Sequence, residues 1–200
     1  MEAVMTEKQT SGELLVNGDF ATGDFTGWSL WDGVYMSVVP NEGGHVAVLK
    51  PVPYNIGQWL GQLVVRDRSD GDYAVGFWLR TSDAYGNPVP GVTRKVTSVM
   101  SIHPYDDLGI GYTFHFPSVA TSSWRKYTWK FSVKGRLNQG FSFSFLNERK
   151  RPDGSLALPE GTQGYEMVMV PNEGQEPETL NEPDDDNCSV AIRNATIFKA

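Results

Sequence analysis

The sequence predicts an all-β protein, a β-sandwich of the jelly-roll type, on three observations. Short runs of alternating apolar and polar residues recur along the 200 residues, and a period of two is typical of half-buried strands. Turns rich in glycine and proline separate these runs, in a chain with 21 glycines and 12 prolines. No segment shows the longer period of an amphipathic helix. Many short strands joined by turns are typical of sandwiches and jelly rolls, and this length suffices for one sizeable core.

The first structured segment is predicted to be a short strand followed by a sharp turn. Residues 14–16 are apolar and are expected to form the strand. Asn17 and Gly18 follow, and both residue types tolerate a positive φ, so the chain is expected to turn there. Phe20 and Trp28 are then expected to fold back over the strand.

Later strands are predicted from the same alternation. It is clearest in residues 124–133, where Tyr127 and Trp129 share a face with Phe131, and in residues 141–145. Further strands are expected at residues 46–49, 59–65, 73–80, 95–102, 110–116, 165–170 and 189–198. Pro117 is expected to end the strand before it, because proline cannot donate a ladder hydrogen bond. The expected core includes Trp28, Trp59, Phe131 and Phe143.

Two segments fall outside the compact strand pattern. Residues 1–13 are polar and are predicted to be an N-terminal arm, flexible or docked on a partner, while residues 14–200 form a single domain. Residues 147–187 are predicted to be a long acidic loop insertion before the last strand. Residues 152–187 carry ten acidic groups and no Lys or Arg, so the rest of the chain is left with +3 of the net charge of −7. This balance disfavours nucleic acid as a partner.

Five short motifs occur in a fixed order along the chain. They are Leu14-Leu15-Val16-Asn17-Gly18-Asp19-Phe20 with Gly27-Trp28, Trp59 with Gln62, Gly71-Asp72-Tyr73 through Leu79-Arg80, Ser123-Trp124 with residues 127–131, and Ile192-Arg193-Asn194-Ala195-Thr196-Ile197. Together they resemble the jelly-roll carbohydrate-binding modules that bind xylan and glucan chains, whose fold is galactose-binding-like. Such jelly rolls also resemble domains of bacteriophage tail and head proteins. The likeness implies the fold more strongly than the function, because one fold hosts many functions.

The resemblance also implies a structural calcium where the first and last strands meet. Ala21 and Arg193 stand at positions where the family carries acidic residues. Calcium requires oxygen ligands and a guanidinium would repel it. We therefore expect no metal and no other cofactor, and we expect Arg193 to pair with Asp19 or Asp24 in its place.

Sugar binding is the chemistry that the aromatic residues favour, because aromatic rings stack on the apolar faces of sugars while polar neighbours bond the hydroxyls. If Tyr73 and every second residue after it face the core, Trp78 and Arg80 face outward. A carbohydrate platform is therefore predicted from Trp31, Tyr35, Trp78 and Arg80, with Gln58 or Gln62 as polar contacts. The alternative is that these aromatics pack in the core or at an interface.

Catalysis has little support in the sequence. The three histidines, His45, His103 and His115, lie in unrelated contexts without a metal-binding spacing. The acids at 106–107 and 184–186 are adjacent in the chain, so they would not flank one glycosidic bond. The single cysteine, Cys188, cannot form an internal disulfide and is expected to be buried or inert. We expect no enzyme.

The predicted function is a non-enzymatic structural protein of a tailed bacteriophage virion, such as a capsid decoration, collar or tail protein. The chain starts at Met1 without an apolar export signal, and no catalytic domain accompanies it. Residues 1–13 and 147–187 would dock virion or scaffold subunits, in a homo-oligomer assembled in the host cytoplasm without a membrane partner. The alternative is a carbohydrate-binding module or adhesin that recognises a polysaccharide, including a cell-surface glycan. A hydrolase is the remote third reading.

Overall fold

The computed structural model of the protein describes residues 12–31, 33–53, 58–64, 71–102, 112–133, 141–147, 168–169, 185 and 187–200. Its strands are β1 (Ser29–Trp31), β2 (Met36–Asn41), β3 (Gly44–Leu49), β4 (Gln58–Val64), β5 (Gly71–Ser82), β6 (Arg94–Ile102), β7 (Tyr112–Ala120), β8 (Arg125–Val133), β9 (Phe141–Asn147), β10 (Val168–Met169) and β11 (Ser189–Lys199). A 3-10 turn at Gly33–Tyr35 precedes β2. Within these ranges no helix has the length and apolar character needed to cross a bilayer.

The strands form two antiparallel sheets that pack as a sandwich. One sheet has five strands in the order β1-β4-β9-β6-β7, and the other has six in the order β10-β8-β5-β11-β3-β2. The predicted all-β jelly-roll sandwich is confirmed. The strands β1 and β2 were not predicted from the sequence.

Much of the predicted arm and insertion lies outside the described residues. This holds for residues 1–11, and for the insertion apart from Asn147, β10, Asp185 and Asn187. His103 and the acids at 106–107, 184 and 186 lie outside them too. Cys188 is described and is buried.

The core lies between the sheets and is rich in aromatic rings. The largest fully buried side chains are Tyr73, Phe20, Phe77, Phe143, Phe145, Leu15, Leu49, Leu60, Leu79 and Met100. Phe77 of β5 lies 5.1 Å from Phe145 of β9, ring centroid to ring centroid, with the rings edge to face. Each such buried ring stabilises the fold by about 1.5–3 kcal/mol, so contacts of this kind hold the two sheets together.

The predicted strand at residues 14–16 is wrong. These residues are buried or half-buried but form no ladder, because a side chain takes the place of a neighbouring strand. The amide oxygen of Gln62 accepts the N–H of Val16 at 2.6 Å, and its nitrogen donates to the carbonyl of Val16 at 2.9 Å. Gln62 lies 46 residues away along the chain, so no local pattern could show this pairing.

The start and end of the described chain are joined directly. Glu13 forms an isolated antiparallel bridge with Phe198, and the N–H of Leu14 donates to the carbonyl of Ile197 at 2.9 Å. The carboxylate of Glu13 accepts the N–H groups of Leu15 and Ile197, each at 2.8 Å. Burial raises the pKa of this carboxyl, while these N–H groups act in the opposite direction.

The turn after residue 16 forms as predicted. Asn17 has φ of 52°. Gly18 is required for a different reason, because a Cβ there would lie 1.9 Å from the carbonyl oxygen of Ala195. Phe20 then stacks on Trp28 with ring centroids 5.4 Å apart, and both rings are buried.

The expected end of β7 at Pro117 is wrong. The strand continues through Pro117 to Ala120. β7 is the last strand of the five-stranded sheet, and an edge strand needs ladder hydrogen bonds on one side only. Proline is therefore tolerated there.

Candidate functional site

The predicted carbohydrate platform is divided between the two sheets. Trp78 and Arg80 belong to β5 in the six-stranded sheet, whereas Trp31, Gln58 and Gln62 belong to β1 and β4 in the five-stranded sheet. The six predicted residues therefore do not meet on one surface.

The remaining predicted site residues occupy separate places. Tyr35 ends the 3-10 turn beside β2, is half-buried, and accepts the N–H of Lys50 through its carbonyl at 2.8 Å. By backbone register, Trp31 lies opposite Trp59, and Gln58 lies opposite Asn147. Gln62 is only 5% exposed and both ends of its amide bind Val16, so it is not available as a surface contact.

The outer face of the five-stranded sheet carries an open cleft. In β4 the side chains of Leu60, Gln62 and Val64 point inward and are at most 5% exposed, so Trp59, Gly61 and Leu63 occupy the outer face. The cleft has a volume of about 300 Å³ and is lined by Ser29, Trp59, Gly61, Gln62, Leu63, Ser142, Phe143, Ser144 and Leu146. We call it the Trp59 cleft.

Gly61 determines where the Trp59 ring can lie. A Cβ on Gly61 would be 2.7 Å from Cε3 and from Cζ3 of Trp59, and 3.0 Å from Cβ of Ser144. The six-membered part of the indole therefore lies directly against the glycine, in space that any other residue would fill. The register aligns Gly61 with Ser144, which gives this part of the sheet small side chains on neighbouring strands.

The lining of the Trp59 cleft combines an aromatic ring, hydroxyls and aliphatic groups. Ser29, Ser142 and Ser144 supply hydroxyls that can donate and accept hydrogen bonds. Leu63 is 55% exposed beside them. None of these lining residues is charged. Such a surface suits a neutral ligand that has both apolar faces and hydroxyl groups.

The expectation that Trp59 lies in the core is wrong. Trp59 is half-buried on the outer face, while Trp28, Phe131 and Phe143 are buried as predicted. The run around Trp59 is apolar on both faces, so its alternation does not show which face points inward. The signal that decides it is the pairing of β4 with β9, where Phe143 points inward and serines point outward.

The outer face of the six-stranded sheet holds a different arrangement, in which tryptophans contact guanidinium groups. The Cζ atom of Arg193 lies 4.2 Å from the ring centroid of Trp124 and 5.3 Å from that of Trp78. We call these three residues the Arg193 stack. Burial lowers the pKa of Arg193, and the nearby carboxylate of Glu42 acts in the opposite direction.

Arg80 is enclosed beneath this stack. It is 5% exposed, its Cζ lies 4.4 Å from the ring centroid of Trp124, and its terminal nitrogen donates to the carbonyl of Gly86 at 2.7 Å. Burial lowers the pKa of its guanidinium, the carboxylate of Glu42 raises it, and the charge of Arg193 lowers it further. Arg80 thus ties the connection after β5 to the sheet, and it presents little surface to a ligand.

The calcium implied by the resemblance does not fit the residues at the opening turn. The side-chain nitrogen of Asn17 donates to the carbonyls of Asp24 and Thr26, both at 3.1 Å, so an amide already holds the oxygens that a cation would need. The Asp24 carboxylate accepts the Thr22 hydroxyl at 2.7 Å and the Thr26 N–H at 2.9 Å, and these bonds lower its pKa. In the described part of the chain no three acidic, histidine or cysteine side chains cluster as metal ligands.

The expected pairing of Arg193 with Asp19 or Asp24 is wrong as well. The bulge at Asn194, with φ of 49°, shifts the register between Arg193 and Thr196. Arg193 lies opposite Trp78 on the outer face, where it stacks on indoles rather than pairing with either aspartate.

The comparisons with known proteins agree on the fold. No family model and no curated protein matches the sequence. The solved structure of a Family 16 Carbohydrate Binding Module-2 matches with a TM-score of 0.56 at 15% identity, over 93% of this chain and 99% of that one. The CBM22-1 xylan-binding domain from Paenibacillus barcinonensis Xyn10C matches with a TM-score of 0.55 at 11% identity, over 96% and 97%.

A viral protein shares the architecture. The enzymatically active domain of bacteriophage CBA120 tailspike protein 4 matches with a TM-score of 0.51 at 11% identity, over 94% of this chain and 21% of that one. At these identities the likenesses establish the fold alone. The protein has the jelly-roll fold of carbohydrate-binding modules.

Proposed function

We propose that the protein is a non-catalytic carbohydrate-binding protein that holds a neutral polysaccharide in the Trp59 cleft. The observation that carries this proposal is the Trp59 ring, seated against Gly61 in an uncharged cleft among serine hydroxyls. The similarity in fold to carbohydrate-binding modules, one of them described as xylan-binding, supports it. The alternative reading of the sequence is therefore favoured over the virion reading.

The cleft offers the two contacts that sugar recognition needs. A pyranose presents an apolar C–H face, which an indole can cover, and the burial of that face is favourable. Its hydroxyls can exchange hydrogen bonds with Ser29, Ser142 and Ser144. Hydrolysis needs two carboxyl groups on either side of the scissile bond, and the described lining contains none. The cleft is thus suited to hold a sugar rather than cleave it.

Replacing one tryptophan on each outer face tests the proposal. Trp59→Ala should weaken binding to a neutral glycan at least tenfold, whereas Trp78→Ala, on the opposite outer face, should leave it within twofold. Retardation in gels that contain soluble xylan, β-glucan or galactan finds the glycan, and calorimetry then gives the affinities. The proposal fails if no neutral glycan retards the wild-type chain, or if folded Trp59→Ala binds as tightly as wild type.

A component of a bacteriophage virion is the second candidate. Its support is the shared fold with a domain of a phage tailspike protein. On this reading residues 1–13 and 147–187 dock neighbouring subunits. Light scattering of the full chain should then show a stable oligomer that dissociates when residues 1–11 are removed, a deletion that keeps Glu13 and its bridge to Phe198. A monomer in both forms would count against it.

A further inference from the structure

Arg193 carries a guanidinium that no acceptor in the described part of the chain engages. Its interactions there include contacts with the two indoles and the charges of Glu42 and Arg80. The Nε atom is buried without a hydrogen-bond partner among the described residues, although the side chain as a whole is only half-buried. A guanidinium has five N–H donors, so most of the hydrogen-bonding capacity of Arg193 is unused within the part of the chain that the structure describes.

The stack fixes the direction of these unused donors. Guanidinium groups stack through their faces on aromatic rings, which leaves the N–H bonds in the plane of the group. Contacts with Trp124 and Trp78 restrict where the guanidinium can lie, and the bulge after Arg193 sets the course of the backbone beneath it. A planar fork held in this way is suited to bind a carboxylate through two parallel hydrogen bonds.

Positive charge surrounds Trp78 on both sides. The registers of β5 with its two neighbours place Lys126 on one side of Trp78 and Arg193 on the other. Arg80 adds a third cation on the same face, and Glu42 is the carboxylate whose charge acts on both arginines. This part of the surface therefore attracts anions, in contrast to the uncharged Trp59 cleft.

We propose that Trp78 and Arg193 form a second glycan-binding site, which recognises polysaccharides whose sugars carry carboxylate groups. A hexuronate bears its carboxylate directly on the pyranose ring, so an aromatic ring and a guanidinium at adjacent positions can engage both parts of one sugar. Trp78 covers the ring face and the Arg193 fork takes the carboxylate. The site lies on the outer face opposite the Trp59 cleft and does not depend on the function proposed for that cleft.

Polygalacturonate is the probe, and its fully methyl-esterified form is the neutral match. Gel retardation and calorimetry with the full chain should show binding to polygalacturonate and at least tenfold weaker binding to the ester. Arg193→Gln and Trp78→Ala should each weaken binding to polygalacturonate at least tenfold. Arg193→Lys, which keeps the charge but loses the fork, should weaken it nearly as much. Trp59→Ala should leave it unchanged.

Lys130→Gln is the matched charge control, because Lys130 is an exposed cation on the same face, opposite Ala74. It should change the affinity less than threefold. The proposal is overturned if wild type does not bind polygalacturonate, if Lys130→Gln is as damaging as Arg193→Gln, or if dextran sulfate binds as tightly, since the attraction would then be to any polyanion. Circular dichroism of each variant shows whether it is folded. If Arg193→Gln does not fold, the affinity of Arg193→Lys for polygalacturonate decides whether the proposal holds.

Discussion

The two outer faces of the sandwich present tryptophan in opposite settings. On the five-stranded sheet Trp59 lies against a glycine in an uncharged, open cleft. On the six-stranded sheet Trp124 contacts the guanidiniums of both Arg80 and Arg193 and packs against a small cluster of valines. The same residue type thus receives a different role from its neighbours: the first ring is free to contact a ligand, and the second holds protein groups in place.

The physical basis of the difference is what each ring already contacts. The Trp124 indole contacts two guanidiniums, so it uses its π-face within the protein, and moving it breaks several favourable contacts at once. The Trp59 indole, seated over Gly61, lines an open cleft and is half-buried, so part of its surface is left for a ligand. Substitutions that remove one ring or displace the other therefore test the comparison directly.

The largest expected effect is on the outer face of the six-stranded sheet, which the Trp124 ring stabilises. Trp124→Ala removes the ring between two guanidiniums and uncovers the cluster of Val46, Val48 and Ala191. We expect it to reduce the free energy of unfolding by about 2–3 kcal/mol, below the range for fully buried rings because Trp124 is half-buried. Urea denaturation measures this loss, and binding of a neutral glycan to the folded variant should be unchanged.

Trp124→Phe is the control for that prediction. The indole nitrogen of Trp124 is buried without a hydrogen-bond partner in the described chain, so its removal costs no hydrogen bond. Phenylalanine should therefore keep most of the stability. If Trp124→Ala lowers the free energy of unfolding by less than 1 kcal/mol, this ring does not stabilise the outer face of the six-stranded sheet.

The next effect is on the outer face of the five-stranded sheet, and it depends on the position of the Trp59 ring. Gly61→Ala places a methyl group where the Trp59 ring lies, so the ring must move off the sheet. We expect binding of a neutral glycan to weaken about tenfold and stability to fall by about 1–2 kcal/mol, as for modest overpacking. Calorimetry and urea denaturation measure the two changes. Gly44→Ala, at a glycine with open space around it, should change neither. Unaltered binding by folded Gly61→Ala would mean that the ring position is not important.

The smallest expected effect is that of calcium, which tests whether either face depends on a metal at the opening turn. Because the Asn17 amide already bonds the carbonyls of Asp24 and Thr26, calcium should not raise the melting temperature of the wild-type chain. Asn17→Asp puts a carboxylate against those carbonyls, so it should lower the melting temperature, and calcium should restore part of the loss. Thermal denaturation with calcium and with EDTA is the measurement. A higher melting temperature of the wild-type chain in micromolar calcium would contradict the inference that the Asn17 amide takes the place of the metal.

The sequence predicted what depends on alternation along one strand and failed where distant strands decide. The inward direction of Tyr73 and Phe77, and hence the outward direction of Trp78, follows from a period of two and is confirmed. The position of Trp59 depends instead on how β4 pairs with β9, and its run is apolar on both faces. Arg193 lies in β11 and Trp124 lies directly before β8, so their contact joins residues that are far apart along the chain. No pattern within one strand could predict it.

The bridge between Glu13 and Phe198 has a topological consequence. The two ends of the described chain run side by side and antiparallel, so they leave the sandwich at one point. A domain with adjoining ends can be placed within a loop of another protein without forcing that loop apart. For the same reason a circularly permuted chain, with a short linker from Ala200 to Gly12 and new ends in the exposed turn at Gly43, should keep every strand pairing intact.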